Sequence, residues 1–239
     1  MIELTSREWW DEYFAPGGGW ELNGGSLQTA LFAKTFCAHV KLSEKEKFSL
    51  LDVGCALGEA ILIFAKNYPL SQLTGIDISI VAIERCRAML GDVARFQQSS
   101  INDIAERYDV IYISNVLEHS TDYEVKARLL IHRCKRLFIM VPYKERRDGK
   151  PLRPDSAQHH QVTFLRDSFD FLSKEGSASS ITVKIVSCPG AWGWTRRTKY
   201  IQWLKNPIRW LIGRAPMYEQ LQIIYDIQSN HADYNATSI

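Results

Sequence analysis

The chain has no run of eighteen apolar residues, which excludes a helix of membrane-spanning length. Its opening, Met1-Ile2-Glu3-Leu4-Thr5-Ser6-Arg7-Glu8, carries acids and no long apolar core, so no signal peptide is expected. Paired cysteines are also missing. The five thiols, Cys37, Cys55, Cys86, Cys134 and Cys188, occur singly, without C-x-x-C or a Cys/His cluster. That spacing argues against zinc, leaves no metal site expected, and fits a reducing, cytoplasmic setting. Asn235-Ala236-Thr237 spells a glycosylation sequon, but without a secretion signal it is read as coincidence. Internal repeats are absent, and neither sign of charge dominates, the net charge being +2.

What is present is a chain of 239 residues, enough for one domain with a large core plus appendages. An apolar run ends in Leu50-Leu51-Asp52-Val53-Gly54-Cys55-Ala56-Leu57-Gly58-Glu59-Ala60, and a helical pattern opens at once. Nineteen positions after Gly58, a second apolar run ends in Asp77. In a parallel α/β sheet this places a tight, side-chain-poor turn after the first strand. It places a carboxylate after the second, where it can accept from a ribose diol. The turn reads Asp-x-Gly-x-x-x-Gly and lacks the G-x-G-x-x-G that a pyrophosphate requires. Glu59 in the first helical turn would repel a pyrophosphate but tolerate a zwitterionic tail.

Strands are expected at 49–53, 72–77, 94–98, 108–113, 136–142, 181–186 and 221–227. Helices are expected at 6–14, 26–40, 59–67, 79–90, 122–133 and 165–175, with Pro16–Trp20 and Asn23–Gly25 as loops. The alternation of strand and helix predicts parallel βαβ units.

Residues 50–60 resemble motif I of the class I S-adenosylmethionine (SAM) methyltransferases. Gly75-Ile76-Asp77-Ile78-Ser79 resembles their ribose-binding acid motif. The resemblance continues through Phe96–Ile104 and Tyr108–His119 and covers roughly 48–187. It implies a Rossmann-like α/β fold: a seven-stranded, mostly parallel sheet with strand 7 antiparallel and helices on both faces. It implies SAM as cofactor, with Asp52, Gly54, Cys55, Gly58, Asp77, Ile78, Ser100, Ile101 and Asn115 at its site. Ser100 stands where many members carry an acid for the adenine amino group. Asn115-Val116-Leu117-Glu118-His119 is not N-P-P-Y, which disfavours methylation of a base or amide nitrogen. No Pro-Cys occurs there, which disfavours a cysteine nucleophile. The V-L-E-H form resembles the branch acting on small molecules, lipoquinones and sugars (the type 11/12 methyltransferases).

Methylating an alcohol calls for a base, and imidazole suits the task near neutral pH. His160, His159 and His119 are the candidates. Residues 1–40 are expected to form a helical lid, with Trp20, Gln28 and Thr29 reaching the cofactor, ahead of a core over 41–186. Residues 187–239 would insert a basic aromatic segment into the hairpin of strands 6 and 7. Its stretch 187–217 holds six Lys or Arg, no acid and four of the seven tryptophans. At 100° per residue, 199–214 shows one apolar and one basic face, the pattern of an interfacial membrane helix or of a helix packed on its own domain. The sequence thus predicts O-methylation of a sugar, glycan or lipid-linked small molecule, with peripheral contact at the inner membrane surface through 199–214. Nucleic acid is the less favoured partner. The alternatives are an RNA methyltransferase and a non-catalytic SAM-fold adaptor. Oligomeric state is left open by the sequence.

Overall fold

The computed structural model describes residues 5–144, 146–147, 150–151, 160–191, 204–205, 207–208, 211 and 219–230. The central strands form where apolar residues run almost unbroken, because a parallel strand covered on both faces has no polar side. β1 (Ser49–Val53), β2 (Gln72–Asp77), β3 (Arg95–Gln98), β4 (Tyr108–Ser114) and β5 (Cys134–Pro142) pair in parallel in the order 3-2-1-4-5. β6 (Ala178–Pro189) and β7 (Glu219–Ser229) form an antiparallel hairpin, with β7 between β5 and β6. The seven-stranded order is therefore 3-2-1-4-5-7-6, with β7 antiparallel to both neighbours. A separate two-stranded ribbon pairs Arg146–Arg147 with Lys150–Pro151.

Side chains alternate across the sheet with period two. Tyr112 of β4 and Phe138 of β5 face one buried cluster; Ile111, Ile113, Leu137 and Ile139 face the other. α3 (Gly25–His39), α4 (Glu59–Asn67) and α5 (Ile80–Leu90) cover the first face through Phe36, Phe64 and Ile83. α6 (Tyr123–Ile131) and α7 (Asp170–Lys174) cover the second through Leu130, Ile131 and Leu172. At the outer pair, Arg136 grips Asp226 with Nε and Nη2 at 2.8 and 2.6 Å and stacks on Phe138, locking the β5–β7 register.

Several boundaries move from their sequence-based positions. β6 and β7 are longer, because hairpin pairing runs past the apolar stretches, and β5 starts earlier, at Cys134, which pairs with Tyr108 of β4. The helix expected at 165–175 contracts to α7: Leu165 N–H bonds Ser168 Oγ, and Phe164 bridges to Tyr143 instead. The Pro16–Trp20 loop includes the start of a short helix, α2 (Gly19–Leu22), whose Glu21 side chain reaches back to Gly17 N–H at 3.0 Å. α3 buries Leu31, Phe32, Ala33 and Phe36 and so belongs to the core layer, unlike α1 (Arg7–Phe14) and α2. α1 is capped by Ser6 and pinned at the start of α5, where Asp11 Oδ1 accepts from Ser79 Oγ and Val81 N–H. Arg85 completes the joint, donating to Phe14 O at 2.7 Å and Glu21 Oε1 at 2.6 Å. The basic aromatic segment does join β6 to β7. Of 199–214, only Leu204, Lys205, Pro207, Ile208 and Leu211 are described, all helical and exposed. Among the described residues no helix is long and apolar enough to cross a membrane.

Candidate functional site

A cavity of about 1250 Å³ opens above the carboxyl ends of β1, β2, β4 and β5, roofed by α1, α2 and the start of α3. In open parallel sheets this is where ligands bind, because strand order reverses there and the following loops part. The volume exceeds the usual range for a single small ligand, roughly 300–1,000 Å³.

The wall at β1 is backbone. Gly54 N–H and Cys55 N–H both donate to Ile76 O, at 2.8 and 2.9 Å, tying the β1 turn to the end of β2. Gly54 has φ +74°, and a Cβ there would lie 2.4 Å from Val116 Cγ2. Ala56 holds φ +49° without being glycine, and its N–H donates to Asp77 Oδ2 at 3.1 Å. Asp77 Oδ1 accepts from Ser79 N–H at 2.9 Å. Each carboxylate oxygen keeps a further lone pair, and Asp77 lines the cavity.

Three expected contacts do not reach the cavity. Asp52 and Cys55 are buried behind the turn. Gly58, at φ +82°, leaves its absent side chain to Leu90, 2.6 Å from where a Cβ would sit, so it serves the packing of α4 on α5. Asp52 nevertheless shapes the site electrostatically. Burial, then Asp77 and Glu59, push its carboxyl up to about 8. Its Oδ2 has no hydrogen-bond partner among the described residues. Burial raises Asp77 to about 6. Closely set acids that cannot all ionise make this end of the cavity a place for positive charge.

Ile78, Ser100 and Ile101 line the same end. Ser100 Oγ donates to Asp103 at 2.6 Å, which leaves its lone pairs to accept. Asn115 adopts φ +53°, a conformation Asn tolerates, with its N–H on Met140 O and Nδ2 on Ser114 Oγ. Trp20, Gln28 and Thr29 line the roof. Trp20 Nε1 donates to Ser26 Oγ at 3.2 Å and Glu59 Oε1 at 3.3 Å. The Gln28 amide is committed to Pro189 O and Ala191 N–H, so it anchors α3 to the end of β6.

The far end is built by the short 3-10 turn Leu117–His119 and the segment entering at His160. Gln161 N–H and Val162 N–H both donate to Glu118 O, at 2.6 and 3.2 Å, clamping the two segments together. The fully buried Glu118 carboxylate lies 4.0 Å from His160 Nε2. The rings of His119 and His160 meet edge to face at 4.9 Å, and Trp10 stands edge-on to His119 at 5.6 Å. His159 lies outside the described residues. Glu118 was visible in the sequence run but carried no role; an acid beside His119 just after a strand was the available signal. Trp10, Tyr13, Lys126, Tyr143 and Lys144 also line the cavity, and nothing local in the sequence marks them.

A methyltransferase-domain family matches residues 28–175. The chain is 24% identical over 130 residues to trans-aconitate 2-methyltransferase of Deinococcus radiodurans, covering 54% of this chain and 48% of that protein. It is 31% identical over 125 residues to ribosomal RNA small subunit methyltransferase C of an Enterobacter species, covering 47% and 34%. The chain thus spans about half the length of the first curated relative and about a third of the second. The solved structure of the plantazolicin methyltransferase BpumL with a triazolic desmethylPZN analog and S-adenosylhomocysteine (SAH) shares the fold at TM-score 0.60. The two are 19% identical over 94% of this chain and 96% of that one. Coclaurine N-methyltransferase bound to N-methylheliamine and SAH shares it at TM-score 0.58 and 15% identity, over 84% and 70%. With the matched region spanning β1 to α7, the chain belongs to the methyltransferase-domain family and carries a class I SAM-dependent methyltransferase domain.

Proposed function

We propose that the protein transfers a methyl group from SAM to a hydroxyl oxygen of a sugar, glycan or lipid-linked small molecule. The observation that carries this reading is one continuous cavity with two chemically different ends. One is acidic and backbone-rich, at Gly54 and Asp77; the other holds Glu118, His119 and His160.

SAM supplies an electrophilic methyl on a sulfonium. The Gly54–Gly58 turn admits its methionine part, and Asp77 accepts from the ribose hydroxyls. Ile78 and Ile101 flank the adenine, Ser100 accepts from its amino group, and Asn115 stands beside the sulfonium. The buried acids Asp52 and Asp77, with the partly buried Glu59, favour a ligand bearing positive charge. α1 and α2 act as the lid, a narrower element than residues 1–40, because α3 is part of the core. Trp20 fastens that lid to α4 through Glu59, excluding water from the reacting centre. Thr29 is the roof residue left to reach the cofactor. Catalysis comes mainly from holding the acceptor oxygen in line with the methyl. Its proton is handled by the histidine cluster, where Glu118 Oε1 lies 4.0 Å from His160 Nε2.

A nucleic-acid base is disfavoured as acceptor, because Asn115-Val116-Leu117-Glu118 lacks the paired prolines of the amino-methylating enzymes. Contact with an anionic membrane surface through 199–214 is part of the proposal. Leu204, Ile208 and Leu211 lie three or four residues apart in helical conformation and are 59, 60 and 75% exposed, beside a basic sequence.

The test is titration calorimetry with SAM and SAH, followed by labelled methyl transfer to panels of glycans, glycolipids and RNA. Micromolar cofactor binding and transfer to a hydroxyl acceptor are expected. Absence of cofactor binding by the folded protein would favour the adaptor alternative. Transfer confined to RNA, with affinity falling steeply in salt, would replace the acceptor assignment.

A further inference from the structure

We infer that Glu118, His119 and His160 form a binding site for a divalent first-row transition cation at the acceptor end of the cavity. One ligand-type atom from each of the three lies within 4.8 Å of the others, and Glu118 Oε1 is 4.0 Å from His160 Nε2. Ligand atoms around a cation with bonds of 2.0–2.2 Å stand about 3–3.5 Å apart, so side-chain rotations of about an ångström complete the set. The backbone is already closed for it: the double clamp of Gln161 and Val162 N–H on Glu118 O joins the two ligand-bearing segments. Glu118 is fully buried and both histidines are partly so, as suits a charge held between protein and ligand.

The donor set chooses the metal. Two imidazoles and one carboxylate suit Mn²⁺, Fe²⁺, Co²⁺ or Zn²⁺ better than Mg²⁺ or Ca²⁺, which prefer all-oxygen cages. Three protein ligands leave coordination positions open, and the histidines face the cavity, so those positions point at the acceptor. A cation there binds the acceptor hydroxyl and lowers its pKa. The proton leaves to water and the oxygen forms the new O–CH3 bond. The S–CH3 bond breaks with its electron pair remaining on sulfur, and SAH departs. This rests on the acceptor reading above and replaces its proton route: the histidines act as ligands, and water, not a free imidazole, takes the proton. The spacing of the sequence hid the site, because His160 is distant from Glu118 and His119 along the chain.

The experiment is titration of the metal-stripped full chain with Co²⁺ alone, followed by visible d–d absorption, with SAH affinity measured in parallel. One equivalent of Co²⁺ is expected, unaffected by millimolar Mg²⁺, with affinity falling at least tenfold in His119→Ala and in His160→Ala. Retained SAH binding identifies variants whose cofactor end remains folded, and Glu118→Gln supplies a third that keeps the buried volume. No d–d band in the wild type overturns the inference, as does a band unchanged in the histidine variants. If SAH binds and Co²⁺ does not, the metal site fails and the methyltransferase reading stands. If SAH does not bind, that reading fails whatever Co²⁺ does.

Discussion

Adding one methyl group at Gly54 tests the geometry of the β1 turn. Gly54 sits at φ +74°, where an L-residue costs roughly 1–2 kcal/mol. The new Cβ would stand 2.4 Å from Val116 Cγ2, well inside contact distance. Retreat is blocked, because Gly54 and Cys55 N–H are both bonded to Ile76 O. Overpacking of this kind costs about 1–3 kcal/mol, and the reduced entropy of the unfolded chain returns about 0.4–1 kcal/mol. The net expectation for Gly54→Ala is a loss of about 1–5 kcal/mol. For a chain of this size that lowers Tm by about 2–20 °C. Val116→Ala removes the colliding methyl, so the double variant should recover the packing part and retain the φ part. Urea denaturation of all four proteins gives the coupling energy, expected at about 1–3 kcal/mol in the rescuing direction. SAH calorimetry on the same set should show Gly54→Ala weakened at least tenfold, since Gly54 lines the cavity. A coupling energy below about 0.5 kcal/mol would refute the close approach of Val116 to the turn.

Three further outcomes are expected. Asp77→Asn keeps the shape but gives one oxygen and one NH2 where two oxygens now accept from Ala56 and Ser79 N–H. SAH affinity should fall at least tenfold in calorimetry, with a loss of stability alongside. Asp52 and Asp77 are raised to about 8 and about 6, so the folded apo protein holds protons that the unfolded chain has released. Its stability should therefore be greatest below about pH 4 as far as these groups go and fall as pH rises towards 8. The slope is at most about 1.4 kcal/mol per unit and group. Urea midpoints between pH 5 and 8 check this, with Asp52→Asn flattening the curve and SAM opposing the fall. Trp20→Phe deletes the indole N–H shared by Ser26 and Glu59 while keeping an aromatic roof; a several-fold rise in the SAH Kd is expected, and an unchanged Kd would detach the lid from cofactor retention.

The strands, most helices and the position of Asp77 were legible in the sequence, because periodicity and strand-end chemistry are local properties. β1 and β2 fall where the apolar runs placed them, and the tight turn follows β1 as expected, with Gly54 and Gly58 at positive φ. Membership of the hairpin was legible too, but its register was not, since pairing Arg136 with Asp226 depends on elements distant in sequence. Direction within the turn was equally hidden. Asp52, Cys55 and Gly58 stand in the motif beside Gly54, yet only the folded backbone shows that they face away from the cavity. Ala56 in a left-handed conformation was unreadable, because its geometry is imposed by the bond to Asp77 and not by its own preference.

By itself, then, the sequence determined an α/β sheet and a nucleoside-type cofactor site, because both follow from residues close along the chain. Tertiary structure alone decided which side chains share one space. It set α1 over the cleft through Asp11, turned three motif residues inward, and brought His160 to Glu118 and His119. Long-range packing and backbone clamps make those choices, and no local pattern encodes them.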